Sequence, residues 1–128
     1  LAGIPAGLDP LHKAHRIQDR VSGVGFDWDD ATGALEKVQE EVGEVREALT
    51  YEDDHRLEEE LGDLLFAVVN LVRLAGSHSA TALEHASRKF SRRFERLEAK
   101  ATEMNISIPD TSLEVLDSIW DEVKIEEG

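Results

Sequence analysis

The sequence predicts an all-α fold, and three observations lead to this prediction. The three prolines lie at positions 5, 10 and 109, so almost a hundred consecutive residues are free of the strongest helix breaker. Apolar residues recur at steps of three and four in several long segments, which is the period of a helix with one buried face. No segment shows the sustained alternation that is typical of a half-buried strand. We therefore expect a helical bundle.

The first two helices are predicted from their start signals. Asp9 and Pro10 have the form of an N-cap and a first helical position, and this helix should fade near Gly23. The next segment has the character of a loop that ends at Asp29 or Asp30, either of which is placed to cap the second helix. The second helix carries apolar residues at steps of three and four: Leu35, Val38, Val42, Val45 and Leu49. This spacing predicts one amphipathic stripe.

The third helix is predicted from about His55 to Ala75, with Gly76 as its stop. Its second half, residues 64–75, is apolar nearly all round. A helix of this kind belongs in the centre of a bundle or in a subunit interface. We therefore expect a four-helix core that is completed by a homodimer.

The last two helices follow from the same kinds of signal. The fourth helix should begin at Ser79 or Thr81. Its predicted buried stripe consists of Leu83, Ala86, Phe90, Phe94, Leu97 and Ala101. A fifth helix, opened by Thr111 or Ser112, carries the apolar residues Leu113, Leu116, Ile119, Trp120 and Val123. The tail from Glu126 should fray.

Length and charge limit the class of protein. A chain of 128 residues without an internal repeat predicts one domain over residues 1–128. The 28 acidic residues outnumber the 14 Lys and Arg residues, and the formal charge of −14 repels phosphate backbones and anionic lipid. We therefore expect no nucleic-acid partner and no membrane partner. The absence of Cys excludes disulfides and thiolate metal sites, and a cytoplasmic location is the default expectation.

Acidic residues form two pairs on the second and third helices. Glu41 and Glu44 lie three residues apart, as do Glu60 and Asp63, so each pair projects from one helix face. The short connection makes the helices antiparallel neighbours, which lets the pairs face each other. Converging carboxylates are costly unless a cation compensates them, and hard oxygen ligands suit Mg²⁺ or Mn²⁺. The alternative is a solvated acidic face.

The position of the second pair favours the metal site over the solvated face. Asp63 is followed directly by an apolar run, residues 64–69. It should therefore lie where the helix becomes buried, and Glu60 lies one turn earlier. A purely solvated face does not fit that position.

The fourth helix concentrates positive charge in an otherwise acidic chain. Six of the 14 cationic residues fall within residues 88–100. Lys89, Arg92 and Arg93 share a face beside the predicted stripe, which suits a ligand that carries both metal and negative charge, such as a nucleoside triphosphate. The alternative is a set of salt-bridge partners for an acidic neighbour, and we assign that role to Arg88, Arg96 and Lys100.

Other polar and aromatic residues carry weaker signals. Trp28 and Trp120 could each stack on a base or fill the core, and the core is favoured for both. Asn70 follows Asp63 by seven residues on the same apolar face, so its amide requires a partner. That partner is either a ligand or the backbone. The five His residues are scattered and do not support a histidine metal site.

Three motifs together resemble a known family. The second helix contains Glu40-Glu-Val-Gly-Glu44, the third Glu60-Leu-Gly-Asp63 and the fourth Lys89-Phe-Ser-Arg-Arg93. In this combination the chain resembles the MazG family of nucleoside triphosphate pyrophosphohydrolases. The segment Val24-Gly-Phe-Asp-Trp28 is similar to the start of the second, catalytic module of tandem MazG proteins, which implies a module upstream of this one.

The resemblance implies an activity and a set of site residues. The activity is Mg²⁺-dependent conversion of an NTP or dNTP to the monophosphate and pyrophosphate, in nucleotide-pool house-cleaning, by a dimer with broad nucleotide tolerance. The implied metal ligands are Glu41, Glu44, Glu60 and Asp63. The predicted substrate contacts are Lys37, Glu59, Asn70, Lys89, Arg92, Arg93, Trp120 and Lys124. The general base is Glu40 or one of the ligand glutamates, Glu41 and Glu44.

Two alternatives stay open at this point. The first is a narrower all-α pyrophosphatase, either a dimeric dUTPase or a phosphoribosyl-ATP pyrophosphohydrolase. The second is a non-catalytic helical module whose acidic face binds a protein. A panel of triphosphates separates the enzymes, and the absence of any product would favour the module.

Overall fold

The computed structural model describes residues 1–128 and contains five α-helices and one short 3₁₀ turn. The elements are α1 (Pro10–Ser22), α2 (Ala31–Thr50), α3 (Asp54–Leu74), α4 (Ser79–Glu103), the 3₁₀ turn (Ile108–Asp110) and α5 (Leu113–Glu127). There is no strand, and the all-α prediction is confirmed. No single helix combines the length and the apolar composition needed to cross a membrane.

Most helices begin at the residues that the sequence predicts. The side chain of Asp9 accepts hydrogen bonds from two backbone N–H groups in the first turn of α1. Of the two candidates before α2, Asp30 is the cap, and Ser112 caps α5. The cap before α4 was not predicted: Nδ1 of His78 accepts a hydrogen bond from the backbone N–H of Ala80 at 3.2 Å. An imidazole nitrogen therefore takes the place of the usual cap oxygen.

Contacts within the chain divide it into two compact units. Residues Leu1–Ala82 form the first unit and Leu83–Gly128 form the second. The first unit contains α1, α2, α3 and the first turn of α4, and the second contains the rest of α4 and α5. The assignment of one domain to residues 1–128, which rests on length, stays a prediction.

In the first unit, α2 and α3 pack against each other, and α1 packs on α3. The buried residues of α2 are Ala34, Glu41 and Ala48, which repeat every seven positions. The prediction that the larger stripe residues form the buried face was wrong at Leu35, Val42 and Leu49, which are exposed. The buried line lies one residue earlier because the small side chains of Ala34 and Ala48 let α3 approach closely, whereas the larger side chains stay outside.

The apolar second half of α3 is only partly covered. Ala67, Val69 and Asn70 are buried, but Leu65 and Phe66 are exposed. This chain alone therefore does not enclose the helix. The four-helix core completed by a homodimer stays a prediction.

The second unit has a small core between α4 and α5. Its buried residues are Leu97, Ala101, Ile119 and Val123, and Trp120 packs against them. The stripe predicted for α4 is therefore correct at its C-terminal end. It was wrong earlier in the helix, because Leu83, Phe90 and Phe94 are exposed. The 15 residues of α5 are too few to cover the 25 residues of α4.

The predicted fraying of the C-terminal tail was also wrong, since α5 continues to Glu127. Nε of Arg93 donates to the carboxylate of Glu127 at 2.6 Å, and Nζ of Lys100 donates to Glu126 at 2.6 Å. Each of these contacts lowers the pKa of its glutamate below the ordinary range. Opposite charge on α4 thus holds the last turn in place.

Candidate active site

Three predicted metal ligands come together between α2 and α3. Oxygen atoms of Glu41, Glu60 and Asp63 all lie within 4.8 Å of one another. Glu41 is buried because it belongs to the face of α2 that packs on α3. Glu60 and Asp63 are three residues apart on α3 and so point to the same side. Two helical faces therefore supply one acidic cluster.

The fourth predicted ligand, Glu44, is held by an arginine instead. Nη2 of Arg56 lies 3.0 Å from Oε2 of Glu44, and Nε of Arg56 lies 3.8 Å from Oε1 of Glu60. Glu47 adds a third carboxylate at 3.5 Å. The guanidinium of Arg56 thus stands between two predicted metal ligands. This contact was not predicted from the sequence, although the spacing of four between Arg56 and Glu60 could have indicated it.

The acidic cluster carries electrostatic strain. Burial raises the pKa of the Glu60 carboxyl, and the neighbouring charges of Glu44, Asp63 and Glu41 raise it further, while Arg56 acts in the opposite direction. Asp63 is exposed, so the expectation that it lies where α3 becomes buried was wrong. The reason is that the apolar residues next to it, such as Leu65, are themselves uncovered in this chain.

Lys37 provides a positive charge at the cluster. Its Nζ lies 3.1 Å from Oε1 of Glu41 and 3.5 Å from Oε2 of Glu40. The hydrogen bond with Glu41 is the main reason why the pKa of Lys37 is raised. Glu40 is exposed apart from this contact with Lys37. Glu59 is exposed on α3 and forms no ion pair. The structure therefore brings Lys37 to the predicted ligands but leaves Glu59 outside the cluster.

The donor set of the cluster fits a hard divalent cation. All three side chains offer carboxylate oxygen, the ligand type preferred by Mg²⁺. Opposite ligands of one Mg²⁺ are about 4.2 Å apart, because each Mg–O distance is about 2.1 Å. The limit of 4.8 Å in the cluster is only slightly larger. Small side-chain rotations would therefore bring the three oxygens to one ion, and water would fill its remaining positions.

A cavity of about 630 Å³ adjoins the cluster. Lys37, Glu41 and Asp63 line it on one side, and three aromatic residues contribute to the rest of the wall: Phe26, Trp28 and Phe66. Trp28 is 39% exposed at this cavity, so the expectation that it fills the core was wrong. A Cβ atom on Gly33 would lie 2.7 Å from the Trp28 ring, so only glycine lets the indole pack on the start of α2.

An arginine with a side chain only 9% exposed holds one wall of the cavity together. Nη2 of Arg73 donates to Asp27 at 2.8 Å and to Oδ1 of Asn70 at 2.7 Å. The hydrogen bond from Arg73 is the main reason why the pKa of Asp27 is lowered. Asn70 is buried and lines the cavity, and its side-chain oxygen is satisfied by Arg73. Arg73 thereby ties the loop before α2 to α3.

The predicted phosphate-binding residues belong to the second unit. Arg93 and Arg92 pair with the same carboxylate, that of Glu127, at 2.6 and 3.4 Å. Lys89 is exposed and has no ion pair, and Nζ of Lys124 lies 3.7 Å from Asp121. The arginines are therefore already neutralised by an anionic partner within their own unit.

The three cationic residues of α4 that the sequence analysis assigned to salt bridges do form them. Arg88 pairs with Glu84 at 2.9 Å, and Arg96 and Lys100 both pair with Glu126. Trp120 is half-buried against the core of the unit. Its ring centre lies 5.2 Å from that of Phe90, so the indole packs on both the core and an exposed ring.

Three of the five histidines, which looked scattered in the sequence, cluster in the first unit. The ring of His78 stacks on His15 with centres 4.0 Å apart and meets the edge of His12 at 5.0 Å. Burial is the main reason why the pKa of His15 is lowered, and His78 adds to this effect. The side chains do not form a group that could hold one ion, whereas the acidic cluster does.

Fold and site together define an all-α protein in which a cluster of carboxylates that could hold a metal ion lies beside a cavity large enough for a small organic ligand. The sequence model of the MazG nucleotide pyrophosphohydrolase domain matches residues 30–98. This match spans more than half of the chain, and the chain therefore belongs to that family. The matched residues run from the cap of α2 through α3 and most of α4.

Individual relatives agree with this assignment. The chain is 40% identical over 131 residues to a nucleoside triphosphate pyrophosphohydrolase of Escherichia coli (strain K12), covering 99% of this chain and 49% of the relative. It is 42% identical over 114 residues to the nucleoside triphosphate pyrophosphohydrolase/pyrophosphatase MazG of Thermotoga maritima, covering 89% of this chain and 44% of the relative. The chain thus spans about half the length of these curated relatives.

Proposed function

We propose that this domain hydrolyses nucleoside triphosphates, ribo or deoxy, to the monophosphate and pyrophosphate, with Mg²⁺ or Mn²⁺ as cofactor. The observation that carries the proposal is the convergence of Glu41, Glu60 and Asp63 at the edge of an apolar cavity. Family membership and the activity named for the relatives support it. Nucleotide-pool house-cleaning is the cellular role that we propose for such an activity.

The carboxylates would hold the cation. Glu41, Glu60 and Asp63 would bind it after small side-chain rotations, and Glu44 would join them by exchanging Arg56 for the ion. A bound Mg²⁺ supplies charge neutralisation for phosphate oxygens and lowers the pKa of a coordinated water. Arg56, once released, would be available to an anionic ligand.

The cavity would bind the nucleoside. Its volume of about 630 Å³ is within the range of small-ligand sites, which is roughly 300–1,000 Å³. Trp28, Phe26 and Phe66 offer apolar and aromatic surface for a base. Lys37, Glu41 and Asp63 line the same cavity, so the triphosphate would extend toward the acidic cluster. Asn70, which lines the same cavity, would contact the nucleoside.

In the proposed reaction a water molecule attacks the α-phosphorus. A bond forms between the water oxygen and phosphorus, the bond to the bridging oxygen breaks, and pyrophosphate leaves. The proton of the water passes to a carboxylate, for which Glu40, Glu41 and Glu44 are the candidates. Lys37 would balance the charge that develops on the phosphate oxygens.

The remaining predicted contacts stay part of the proposal. Arg92 and Arg93 would neutralise the departing pyrophosphate together with Lys89, and Glu59, Trp120 and Lys124 would complete the substrate contacts. Because Glu127 now pairs with both arginines, phosphate binding there would replace one anion by another. The guanidinium groups of α4 would then lose no further water when phosphate binds, because they are already paired with a carboxylate.

A homodimer is part of the same proposal. Exposed apolar residues of α2 and α3 offer a surface for a second copy: Leu35, Val42, Leu49, Leu61, Leu65 and Val68. Such uncovered side chains are unusual for an isolated domain when they share one face. We expect light scattering at micromolar concentration to give the mass of two chains, and Val42→Glu to give one chain. Gln39→Glu, an exposed change on the same helix, should stay dimeric, and a monomeric unsubstituted protein would contradict the proposal.

The activity is tested by pyrophosphate release from the eight canonical nucleotides with and without Mg²⁺. We expect several nucleotides to react and the reaction to need the cation. Glu41→Gln and Asp63→Asn should each lower kcat/KM by at least about 100-fold. Glu58→Gln, an exposed change on α3, is the matched control and should retain activity.

Each other outcome has a definite meaning. Turnover of dUTP alone, or of phosphoribosyl-ATP alone, would favour one of the narrower pyrophosphatases. No product from any nucleotide, and no rise in melting temperature with Mg²⁺, would favour a non-catalytic interaction module, because a bound ligand stabilises the fold by mass action. Full activity of Asp63→Asn would contradict the assignment of the metal ligands.

A further inference from the structure

The wall of the cavity contains a buried amide with one atom that lacks a partner. Gln18 of α1 is 2% exposed and lines the cavity. Its Nε2 donates to the backbone oxygen of Phe66 at 2.9 Å, while its Oε1 has no hydrogen-bond partner. The amide cannot be turned around, because its oxygen would then face the carbonyl oxygen of Phe66. A buried acceptor without a donor is rare and calls for an explanation.

A second amide on α3 offers the complementary group. Asn70 is 8% exposed and lines the same cavity. Arg73 donates twice to its Oδ1, at 2.7 and 3.2 Å, which fixes the orientation of the amide. The Nδ2 group is thereby left as a donor. Phe66, whose backbone oxygen holds the Gln18 amide, and Asn70 are one helical turn apart on α3, and both amides line the same cavity.

We propose that Oε1 of Gln18 and Nδ2 of Asn70 form an acceptor and donor pair that binds the Watson–Crick edge of the nucleobase. This inference rests on the proposed function, because it identifies the part of the substrate that the cavity recognises. The unpaired oxygen of Gln18 receives the N–H of the base, and Asn70 donates to the adjacent ring nitrogen or carbonyl oxygen.

The pair accounts for recognition without selection among the natural bases. Adenine and cytosine each place an amino group beside an acceptor ring nitrogen. Guanine places N1–H beside O6, and uracil and thymine place N3–H beside O4. Every natural base therefore offers one donor beside one acceptor, but the two groups are exchanged along the edge between adenine or cytosine and guanine, uracil or thymine, so the base has to shift to meet a fixed pair. The ligand class is a nucleotide whose base carries an N–H group, and a base without one leaves Gln18 unpaired.

A structural role of Gln18 makes a different prediction. Its bond to the Phe66 carbonyl ties α1 to α3, and loss of this bond would weaken binding of all nucleotides equally. The two roles are separated by changing the residue and the base together.

The experiment compares ATP with the triphosphate of purine riboside, which lacks the amino group and has no N–H on its base. For the unsubstituted protein we expect KM for the analogue to exceed that for ATP by roughly three- to tenfold, the value of one hydrogen bond, with kcat unchanged. In Gln18→Met the ratio should fall to about one. Gln39→Met, the same change at an exposed position of α2, should keep the original ratio.

Other outcomes overturn the inference. Equal KM values for the two nucleotides, or an unchanged ratio in Gln18→Met, would show that Gln18 only joins the helices. If Gln18→Met does not fold, as judged by circular dichroism, the comparison of UTP with N3-methyl-UTP in the unsubstituted protein decides in its place. If no nucleotide reacts, the proposed function fails, and the amide pair is then tested separately by binding. The Kd values for ATP and for the analogue are measured with Ca²⁺, and equal Kd values or no binding would refute the amide pair.

Discussion

The contact between Arg73 and Asp27 gives a direct test of how the cavity is held together. The pair joins the loop before α2 to α3 with a distance of 2.8 Å, and the side chains of Arg73 and Asp27 are 9% and 15% exposed. We consider Asp27→Asn, which removes the charge of residue 27 but keeps its size. The amide oxygen can still accept from the backbone N–H of Trp28, as the carboxylate does at 2.9 Å. Because Arg73 and the Trp28 N–H bond to the same oxygen of Asp27, the change keeps an acceptor and removes the charge that pairs with Arg73.

The structure sets the size of the expected effect. A hydrogen bond between charged groups contributes about 1.5–3 kcal/mol. Loss of one partner from a fully buried ion pair costs about 3–5 kcal/mol. Arg73 keeps its bonds to Asn70 and a weaker contact with Asp19 at 3.8 Å, so the lower range applies. We expect Asp27→Asn to lower the free energy of unfolding by about 2 kcal/mol, and the melting temperature by roughly 6–12 °C.

The pH dependence identifies the cause of the loss. Arg73 lowers the pKa of Asp27 in the folded protein, so around the unfolded pKa, which is about 3.9, the unfolded chain binds more protons. The stabilisation is therefore present above that pKa and is lost as pH falls through the folded pKa. The difference in melting temperature between the unsubstituted protein and Asp27→Asn should be constant from pH 8 to 5 and should shrink below about pH 4.

Thermal unfolding followed by circular dichroism measures both effects. Asp29→Asn is the matched control, because Asp29 lies in the same loop, is exposed and forms no ion pair. It should leave the melting temperature within about 1 °C. A melting temperature of Asp27→Asn equal to that of the control at pH 7, or a difference that persists undiminished in acid, would refute the assigned role of Arg73.

Two further predictions concern other charged groups of the first unit. Arg56→Met should tighten Mn²⁺ binding by roughly three- to tenfold, because it removes a cation that competes for Glu44 and Glu60. Electron paramagnetic resonance without nucleotide measures this binding, and equal or weaker binding would contradict the prediction. His15 has a lowered pKa in the folded protein, so the unfolded chain takes up protons first as pH falls below about 6.5, and stability is lost over that interval. Between pH 7.5 and 5.5 the melting temperature of the unsubstituted protein should therefore fall more than that of His15→Gln, and parallel curves would argue against the assignment.

Local features of the fold were predictable from sequence because they depend on neighbours in the chain. Asp9, Asp30 and Ser112 cap helices through hydrogen bonds to residues two or three positions later. The spacing of three between Glu60 and Asp63 places both on one side of α3 in any helical fold. The convergence of these two with Glu41 needed only the short connection between α2 and α3.

Features that depend on distant residues were not predictable in the same way. The line of α2 that is buried follows Ala34 and Ala48, because close packing of α3 favours small side chains over the larger leucines of the stripe. His15 and His78 stack although they are 63 positions apart in the chain. The pairing of Arg93 with Glu127 spans 34 positions. Periodicity shows which faces are apolar, but it does not show which partner covers them.

The family match begins at residue 30, so the candidate site contains residues inside the matched segment and residues that precede it. The acidic cluster and Lys37 lie within residues 30–98, which match the family. The opposite wall of the cavity comes from residues before that segment, among them Gln18, Phe26 and Trp28. Because Arg73 of the matched segment bonds to Asp27 of the preceding loop, the second wall is fixed on the first. In the proposed function the carboxylates supply the chemistry of the site, whereas α1 and the loop after it contribute residues that would contact the nucleoside. Differences in substrate between members of this family should therefore be sought in the segment that corresponds to residues 17–28.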